Sequence, residues 1–476
     1  MKTIGARTSR TSVRADYFSR RVLGGDDKLP FMRRSYSLPV GLTYACIAMH
    51  VAFPKGGIKY LGIPITWADA LLGCLFLLFM YSFSHPLRIS RPLKTTILLL
   101  LAGSAFFAFR IFFQQGFILR YVIPDHLQEL VPLCVYPLIF LLMVRMIDNE
   151  VRLKRIIQIM IVSVTVVLLY GVLQRIFGDT ALLVPGLTAN ATDAQVPEFL
   201  FWKYNVIDWR LRTLKLTSTY QNGNILGINL LLLLPIAVTA VRRWTLRLPL
   251  IFLGLYCLEE CGSRSVWVGT LTLGLIATLF FVKRTVHKFF ASVGLLLAVV
   301  VFLFFMPVMR TRTLEAGMRK QVEMGGRVEP AALLIRESLR DTNVVAFLVG
   351  PDDRTMRSIL AQGGGAFDIL YLALFQVSGV IGALLWLAPV GLSVWTMSKA
   401  RSDPLVKAVL ISLICYLVAA LAEGAFWYPP TAFNLWMLIA IGWLRMEQNR
   451  KKVVGTRLPV RREPAKRPRQ LVHAQF

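Results

Sequence analysis

Histidine is scarce in this chain, and cysteine is missing from the places where it would matter. Of 476 residues, five are His and six are Cys. The histidines (His50, His85, His126, His287, His473) are scattered, and no pair has ligand spacing. That argues against a metal site built on His or Cys, and no metal or other cofactor is expected. The cysteines (Cys46, Cys74, Cys134, Cys257, Cys261, Cys415) all fall in apolar segments. With none in a polar loop, no external disulfide framework is expected, and Cys257 and Cys261, one helical turn apart, read as packing. Charge is short too: only 17% of residues are charged, and Asp and Glu number 26 against 54 Lys and Arg. A chain that is 56% hydrophobic, with mean hydropathy +0.59, does not make a soluble protein. The N-terminus has no apolar core followed by a small-residue cleavage site, so it is not read as a signal peptide.

In place of charge the chain has apolar runs of spanning length. A helix needs roughly 20 apolar residues to cross a bilayer, because only a backbone that satisfies its own hydrogen bonds survives in hydrocarbon. Twelve segments fit, at 37–54, 65–84, 95–113, 127–146, 155–177, 223–241, 245–262, 264–282, 286–308, 369–397, 405–423 and 430–445. The apolar stretch 245–282 is broken only by Glu259, Glu260 and Gly262-Ser263-Arg264, and is split there into a helical hairpin. The predicted fold class is all-α, a polytopic membrane helix bundle of about 12 transmembrane helices with a large, partly helical outer loop. Residues 37–446 form the bundle, and the basic, apolar-poor tails at 1–36 and 447–476 are expected to be disordered.

Lys and Arg set the orientation. The first 36 residues carry nine of them, and the end of the chain is denser still (Arg450, Lys451, Lys452, Arg461, Arg462, Lys466, Arg467, Arg469). Alternate short loops are basic: Arg88/Arg91/Lys94, Arg145/Arg152/Lys154/Arg155, Arg242/Arg243/Arg247, Lys283/Arg284/Lys288 and Lys399/Arg401/Lys407. By the positive-inside rule these loops and both termini are cytoplasmic, which demands an even number of spans. The long loops 178–222 and 309–368 then both fall outside. The net charge of +28 reads the same way, as topology and contact with anionic membrane lipid, not as a nucleic-acid surface.

The loop 309–368 is a polar excursion carrying nine Lys/Arg and eight Asp/Glu. Loops of that length are usually functional or disordered. Within it, GGRVEPAALLIRESLRD reads as a helix entered at Pro330, with Ala331, Leu334, Ile335 and Leu339 on one apolar stripe. Arg327 stands just before this helix and Arg336 on its polar side. Asp352-Asp353, after Gly350-Pro351, reads more cheaply as turn chemistry than as a carboxylate metal site. Gly363-Gly364-Gly365 leads to Asp368, either an N-cap or a general base at a site mouth.

Loop 178–222 ends with Arg210, Arg212 and Lys215, then Asn222-Gly223-Asn224 at the start of the next span. Those amides either cap free N–H groups or bind a ligand's hydroxyls, and cations beside a helix N-terminus favour an anion. Glu259-Glu260 and Arg264 give either an internal Glu–Arg pair or an arginine whose donor fork grips a phosphate. Glu423, in AEGAFWYPP at the outer end of the eleventh span, faces the same compartment, where Trp427 and Tyr428 read as interface anchors.

The order of these strings resembles the O-antigen ligase and Wzy-type polysaccharide polymerase superfamily. TSTYQNGNILG before a span, CGSRSVWVG, GGRVEPAALLI in the large outer loop, VGPDD after it, and DILYLALFQVSGVIG at the next span are similar to its motifs, over residues 212 to 387. The resemblance implies a multi-span, GT-C-like glycosyltransferase that uses undecaprenyl-diphosphate-linked glycans as donor and acceptor, at the outer face of the bacterial inner membrane. It implies that Arg264 and Arg327, with Arg212 as a third candidate, contact the donor diphosphate. Asp368 stands where the ligases typically place a histidine, and neither long outer loop contains one. An aspartate there looks more like exopolysaccharide or capsule polymerases. The chain also departs from the family pattern at VEPAALL, which lacks a tryptophan, and at GPDD, which lacks a second glycine.

The expected function is metal-independent polymerisation of lipid-linked oligosaccharide repeat units. In it Asp368, Arg327 and Arg264 are catalytic, and Arg212, Lys215, Asn222, Asn224, Arg336 and Glu423 bind substrate. A flippase and chain-length or export proteins are expected partners. The alternatives are a ligase that moves finished glycan to lipid A core or protein, and a lipid-linked sugar transporter. Transporters usually show internal repeats and mid-membrane polar residues, whereas here no repeat is found and the polar residues cluster toward the outer face.

Overall fold

The computed structural model describes residues 38–60, 63–81, 90–114, 131–147, 149–178, 182–189, 191, 207–208, 213–281, 286–287, 293–294, 344–350, 370–421, 423 and 428–457. Of the described residues 83% are helical, as the apolar runs require. The helices are α1 (Leu38–Ala52), α2 (Trp67–Tyr81), α3 (Arg91–Gln114), α4 (Tyr136–Met146, entered through a π turn at Val131–Val135), α5 (Glu150–Phe177), α6 (Gly223–Ala240), α7 (Trp244–Glu260), α8 (Arg264–Phe281), α9 (Val344–Val349), α10 (Leu370–Lys399), α11 (Pro404–Ala419) and α12 (Pro429–Arg457). Among the described residues two antiparallel hairpins accompany them, β1 (Gly57–Tyr60) with β2 (Ile63–Thr66), and β3 (Ile207–Asp208) with β4 (Thr213–Leu214).

Helix starts follow their caps. Asn149 accepts from the Arg152 N–H to open α5, Asn222 from the Ile225 N–H to open α6, and Asp403 from the Leu405 and Val406 N–H groups before Pro404 opens α11. Each side-chain oxygen satisfies a donor the helix cannot.

Among the described residues, four stretches are long and apolar enough to cross a membrane: Arg91–Arg110, Glu150–Phe177, Gly223–Ala240 and Ser378–Lys399. Leu38–Ala52, Trp67–Leu78, Leu133–Met146, Ser265–Phe280 and Pro404–Ala419 are shorter apolar helices. α6 is buried along most of its length, and α11 and α12 pack around it. Outer helices leave large apolar side chains exposed, among them Leu98, Phe109, Val162, Phe252, Leu384 and Trp395. Water does not favour so much exposed apolar surface; a lipid surround does.

Hydrogen bonds sort the bundle into two ends. At one, Arg445 of α12 reaches Asp403 (2.8 Å) and Glu150 (3.5 Å), and Lys407 reaches the Phe280 carbonyl (3.4 Å). This end gathers loops read as cytoplasmic. At the other, Leu216 N–H donates to the Glu260 carbonyl, Leu370 N–H to the Ala420 carbonyl, and the Tyr220 hydroxyl to the Val51 carbonyl. That end gathers the parts of loop 178–222 that are described, together with the start of α10.

Several boundaries move from expectation. The α7–α8 hairpin breaks at residues 261–263, as read from sequence. α5 begins at Glu150 rather than 155, because Asn149 caps it there. The helix of the last expected span runs past 446: α12 continues to Arg457, so residues 447–457, expected as a disordered tail, are helical. Residues 344–350 were counted in a polar outer loop, yet α9 packs on α10, with Phe347 edge-on to Phe375. Arg110 of α3, itself buried, donates from Nη1 to the Val349 carbonyl at 2.5 Å. Most of the expected span 286–308 and the expected helix after Pro330 lie outside the described residues.

Candidate functional site at one end of the bundle

The segment between Lys215 and Asn224 builds this site. It enters from β4 with Leu216 N–H on the Glu260 carbonyl at 2.9 Å. Gln174, in the last turn of α5, then takes both sides of the turn: Nε2 donates to Thr217 Oγ1 (3.2 Å) and Oε1 accepts from Ser218 N–H (2.7 Å). Ser218 sits at φ 50°, and its hydroxyl donates to the Val167 carbonyl. Thr217, Ser218, Thr219 and Tyr220 are all buried, so this string is a plug seated between helices. Burial pushes the Tyr220 phenol well up, and it serves as a neutral donor. Gly223 follows where this segment presses on the α7–α8 connection: a Cβ there would lie 2.4 Å from the Cys261 carbonyl oxygen.

Two strings far apart in sequence, 215–224 and 260–265, are thus in direct contact. Ser263 and Ser265 are buried and share a hydrogen bond of 2.8 Å. A third partner comes from between α11 and α12. Asn224 Nδ2 donates to Glu423 Oε2 at 2.9 Å, and Glu423 is only 8% exposed. A carboxylate in such a place needs donors, and the Asn224 amide supplies one. Beneath it, Asn229 Nδ2 donates to Thr431 Oγ1 and Asn434 Nδ2 to Asn229 Oδ1, so polar contacts continue into the core.

Of the residues singled out from sequence, the structure brings Asn222, Asn224, Lys215 and Glu423 to this end, along with the backbone of Arg264 as the first residue of α8. Asn222 caps α6 through its side-chain oxygen. Arg212, Arg327, Arg336 and Asp368 lie outside the described residues. Leu370, two residues beyond Asp368, is tied to the Ala420 carbonyl at 3.2 Å, three residues before Glu423.

Three pairings were not read from the sequence, although Asp69 and Arg110 stand out there as polar residues in or near spans. Arg175, at the end of α5, places both Nε (2.8 Å) and Nη2 on Glu260 Oε2, so Glu260 has an arginine partner other than the expected Arg264. Asp69 accepts from Tyr136 OH (2.7 Å) and Thr66 Oγ1 (2.6 Å), with His50 Nε2 at 3.8 Å and the His50 ring stacked on Phe433. Arg110 holds α9. The available signal was a charged or polar residue within a turn of a predicted span end, on the side away from the basic loops. Among the described residues, no three His, Cys, Asp or Glu side chains converge as metal ligands.

The fold and these contacts define a helical membrane protein with a polar, partly charged cluster at one end. No family model matches the chain, and no curated protein matches it.

Proposed function

We propose that the protein is a membrane glycosyltransferase that polymerises lipid-linked oligosaccharide repeat units into an exopolysaccharide, capsule or O-antigen chain. On this reading it is GT-C-like, with twelve spans, both termini cytoplasmic, and its site on the outer face of a bacterial inner membrane. The observation that carries the reading is the meeting of three separate polar strings at the end of the bundle away from the basic loops. Leu216 N–H on the Glu260 carbonyl and Asn224 on Glu423 make that meeting.

The chemistry is a glycosyl transfer. An acceptor hydroxyl oxygen forms the new bond to the anomeric carbon, the bond from that carbon to the diphosphate oxygen breaks, and the hydroxyl proton goes to Asp368. Charge grows on the departing diphosphate, so Arg264 and Arg327, with Arg212 as a third candidate, lower the barrier by meeting it. Lys215, Arg336, Asn224 and Glu423 bind the substrates, and Asn222 fixes the helix start among them. The partners are undecaprenyl-diphosphate-linked donor and acceptor glycans, a flippase and the chain-length and export proteins. No metal enters this scheme.

Deletion of the gene, followed by analysis of the lipid-linked glycans that accumulate, tests the reading. Single repeat units at the outer face support it. Long lipid-linked chains indicate a ligase, and repeat units trapped at the inner face a transporter. Arg327→Ala and Asp368→Ala should each abolish polymer at normal protein levels, and full-length polymer from both would sink the assignment.

A further inference from the structure

His50, in the last turn of α1, is buried among groups that favour a cation. Its Nδ1 lies 3.0 Å from the Cys46 carbonyl oxygen. A carbonyl can only accept, so Nδ1 carries a hydrogen whatever the charge of the ring. Nε2 has no hydrogen-bond partner among the described residues and faces Asp69 Oδ1 at 3.8 Å. Asp69 is bonded as an anion, with Oδ1 accepting from the Tyr136 hydroxyl and Oδ2 from the Thr66 hydroxyl. Phe433 lies flat on the imidazole, with ring centroids 3.8 Å apart and planes at 7°. Carbonyl, carboxylate and aromatic face all suit a positive ring.

The elements packed on α1 bring nothing that opposes this charge. On α1 itself, the buried Cys46 thiol is 3.5 Å from Nδ1 and within reach of the Ala68 carbonyl. α2 brings Asp69, and α4 brings Tyr136, edge-on to the imidazole at 6.2 Å. α12 brings Phe433, and its own charges begin at Arg445. Of the charges on α5, Arg175 is on Glu260, and the others lie in its first two turns at the far end of the bundle.

We propose that His50 is an imidazolium whose Nε2 proton, held against Asp69, seats the segment 215–224, and that loss of this proton releases the segment. The mechanical link is short. Val51, next to His50, accepts the Tyr220 hydroxyl at 3.0 Å, and Asn222, two residues beyond Tyr220, caps α6. With the proton present, a cation meets an anion and ties α1 to α2. When it leaves, the Nε2–H bond breaks, the lone pair stays on nitrogen, and the proton passes out through Asp69, whose side chain is 32% exposed. A bare Nε2 then faces a carboxylate, two acceptors with no hydrogen between them. The pair parts, the last turn of α1 shifts, and Tyr220 loses its hold. A rise in pH therefore loosens the segment that carries Asn222 and Asn224, whichever reaction the protein performs.

The test uses the full-length protein in nanodiscs. Nitrogen-15 NMR of labelled histidine, with His50 assigned by its absence in His50→Gln, reads which ring nitrogens carry hydrogen. Hydrogen exchange followed by mass spectrometry, corrected for the intrinsic effect of pH, reads residues 215–224. At neutral pH both His50 nitrogens should be protonated. Exchange in 215–224 should quicken by about tenfold at the pH where Nε2 loses its proton. In Asp69→Asn the ring should be neutral at neutral pH, with hydrogen on Nδ1 alone, and the step in exchange should vanish. It should vanish equally in His50→Gln, which has no such proton to lose. A tie made by packing alone gives no step in the wild type. A bare Nε2 in the wild type at neutral pH overturns the proposal. So does a proton that stays on Nε2 throughout the range in which the protein is folded, an exchange profile without a step where the proton leaves, or a step that persists in either variant.

Discussion

Asn224 and Glu423 are hydrogen-bonded at 2.9 Å across 199 residues of sequence, joining the first turn of α6 to the connection between α11 and α12. The contact has a direction, since the amide donates and the carboxylate accepts. Asn224→Asp should therefore be far worse than its size suggests, because it sets two carboxylates against each other in a buried place. A loss of about 1–3 kcal/mol in stability is expected, with loss of polymer. Adding Glu423→Gln to Asn224→Asp should recover most of the stability by reversing donor and acceptor. Thermal denaturation of the single and double variants in detergent measures this, and an additive double variant would show that the contact matters little.

Some of this could be read from the sequence, and the division follows from range. The α7–α8 hairpin was legible because its break is local: two acids and a Gly-Ser pair interrupt an apolar run. The cap at Asn222 was legible for the same reason. The Arg175–Glu260 pair, 85 residues apart, was not, since either acid had a nearer candidate in Arg264. Arg110 was visible as a charge near a span end, but its partner is a backbone carbonyl 239 residues away, which no residue type announces. The β1–β2 hairpin was missed because GIKY and IPIT are short apolar pieces between two longer ones. α12 ran past its expected end because a helix does not stop where its hydrophobic residues do.

At the opposite end of the bundle, Asp403 predicts an acid-sensitive joint. Burial pushes its carboxyl up, but hydrogen bonds from Asn449, Arg445 and the Val406 N–H outweigh burial and hold it below the ordinary value of 3.8. A carboxylate depressed in the folded state contributes stability above its unfolded value and loses it as pH falls through the folded one. Melting temperature should thus be insensitive to this group above about pH 5 and fall as pH drops below about 4. Asp403→Asn should keep the helix cap, lower the melting point at pH 7, and flatten the acid limb. An unchanged acid limb in that variant would show that other carboxylates set the profile.

Tyr136 offers a cleaner test of the buried polar group around Asp69. Its ring is fully buried, and its hydroxyl donates to Asp69 Oδ1 at 2.7 Å. Tyr136→Phe removes the donor with little change in packing and leaves the carboxylate short of one partner. A destabilisation of about 1–3 kcal/mol is expected. Tyr136→Phe combined with Asp69→Asn should cost less than the sum of the two single changes, because the charge that needed the donor is gone. A double-mutant cycle in denaturant reads the coupling, and strict additivity would mean that the hydroxyl is satisfied elsewhere.

The seat of α9 depends on a backbone conformation available to few residues. Gly379 lies at φ 60° inside α10, and a Cβ there would lie 2.5 Å from both the Leu348 carbonyl oxygen and the Gly350 nitrogen. Two costs therefore combine at Gly379→Ala. The left-handed conformation penalises any side chain, and the contacting atoms are backbone that cannot rotate away. Straightening α10 at that point would relieve the first cost but would remove the recess that receives residues 348–350. The expected result is a folded bundle, destabilised by about 1–3 kcal/mol, in which α9 is displaced. A cysteine introduced at Leu348, which is 37% exposed in its seat, should then react with a membrane-impermeant maleimide several-fold faster than in the parent. Arg110→Gln should raise the same labelling rate without changing α10, because it weakens the hold on the Val349 carbonyl and leaves the recess intact. Equal labelling in parent and both variants would show that α9 is held by neither contact.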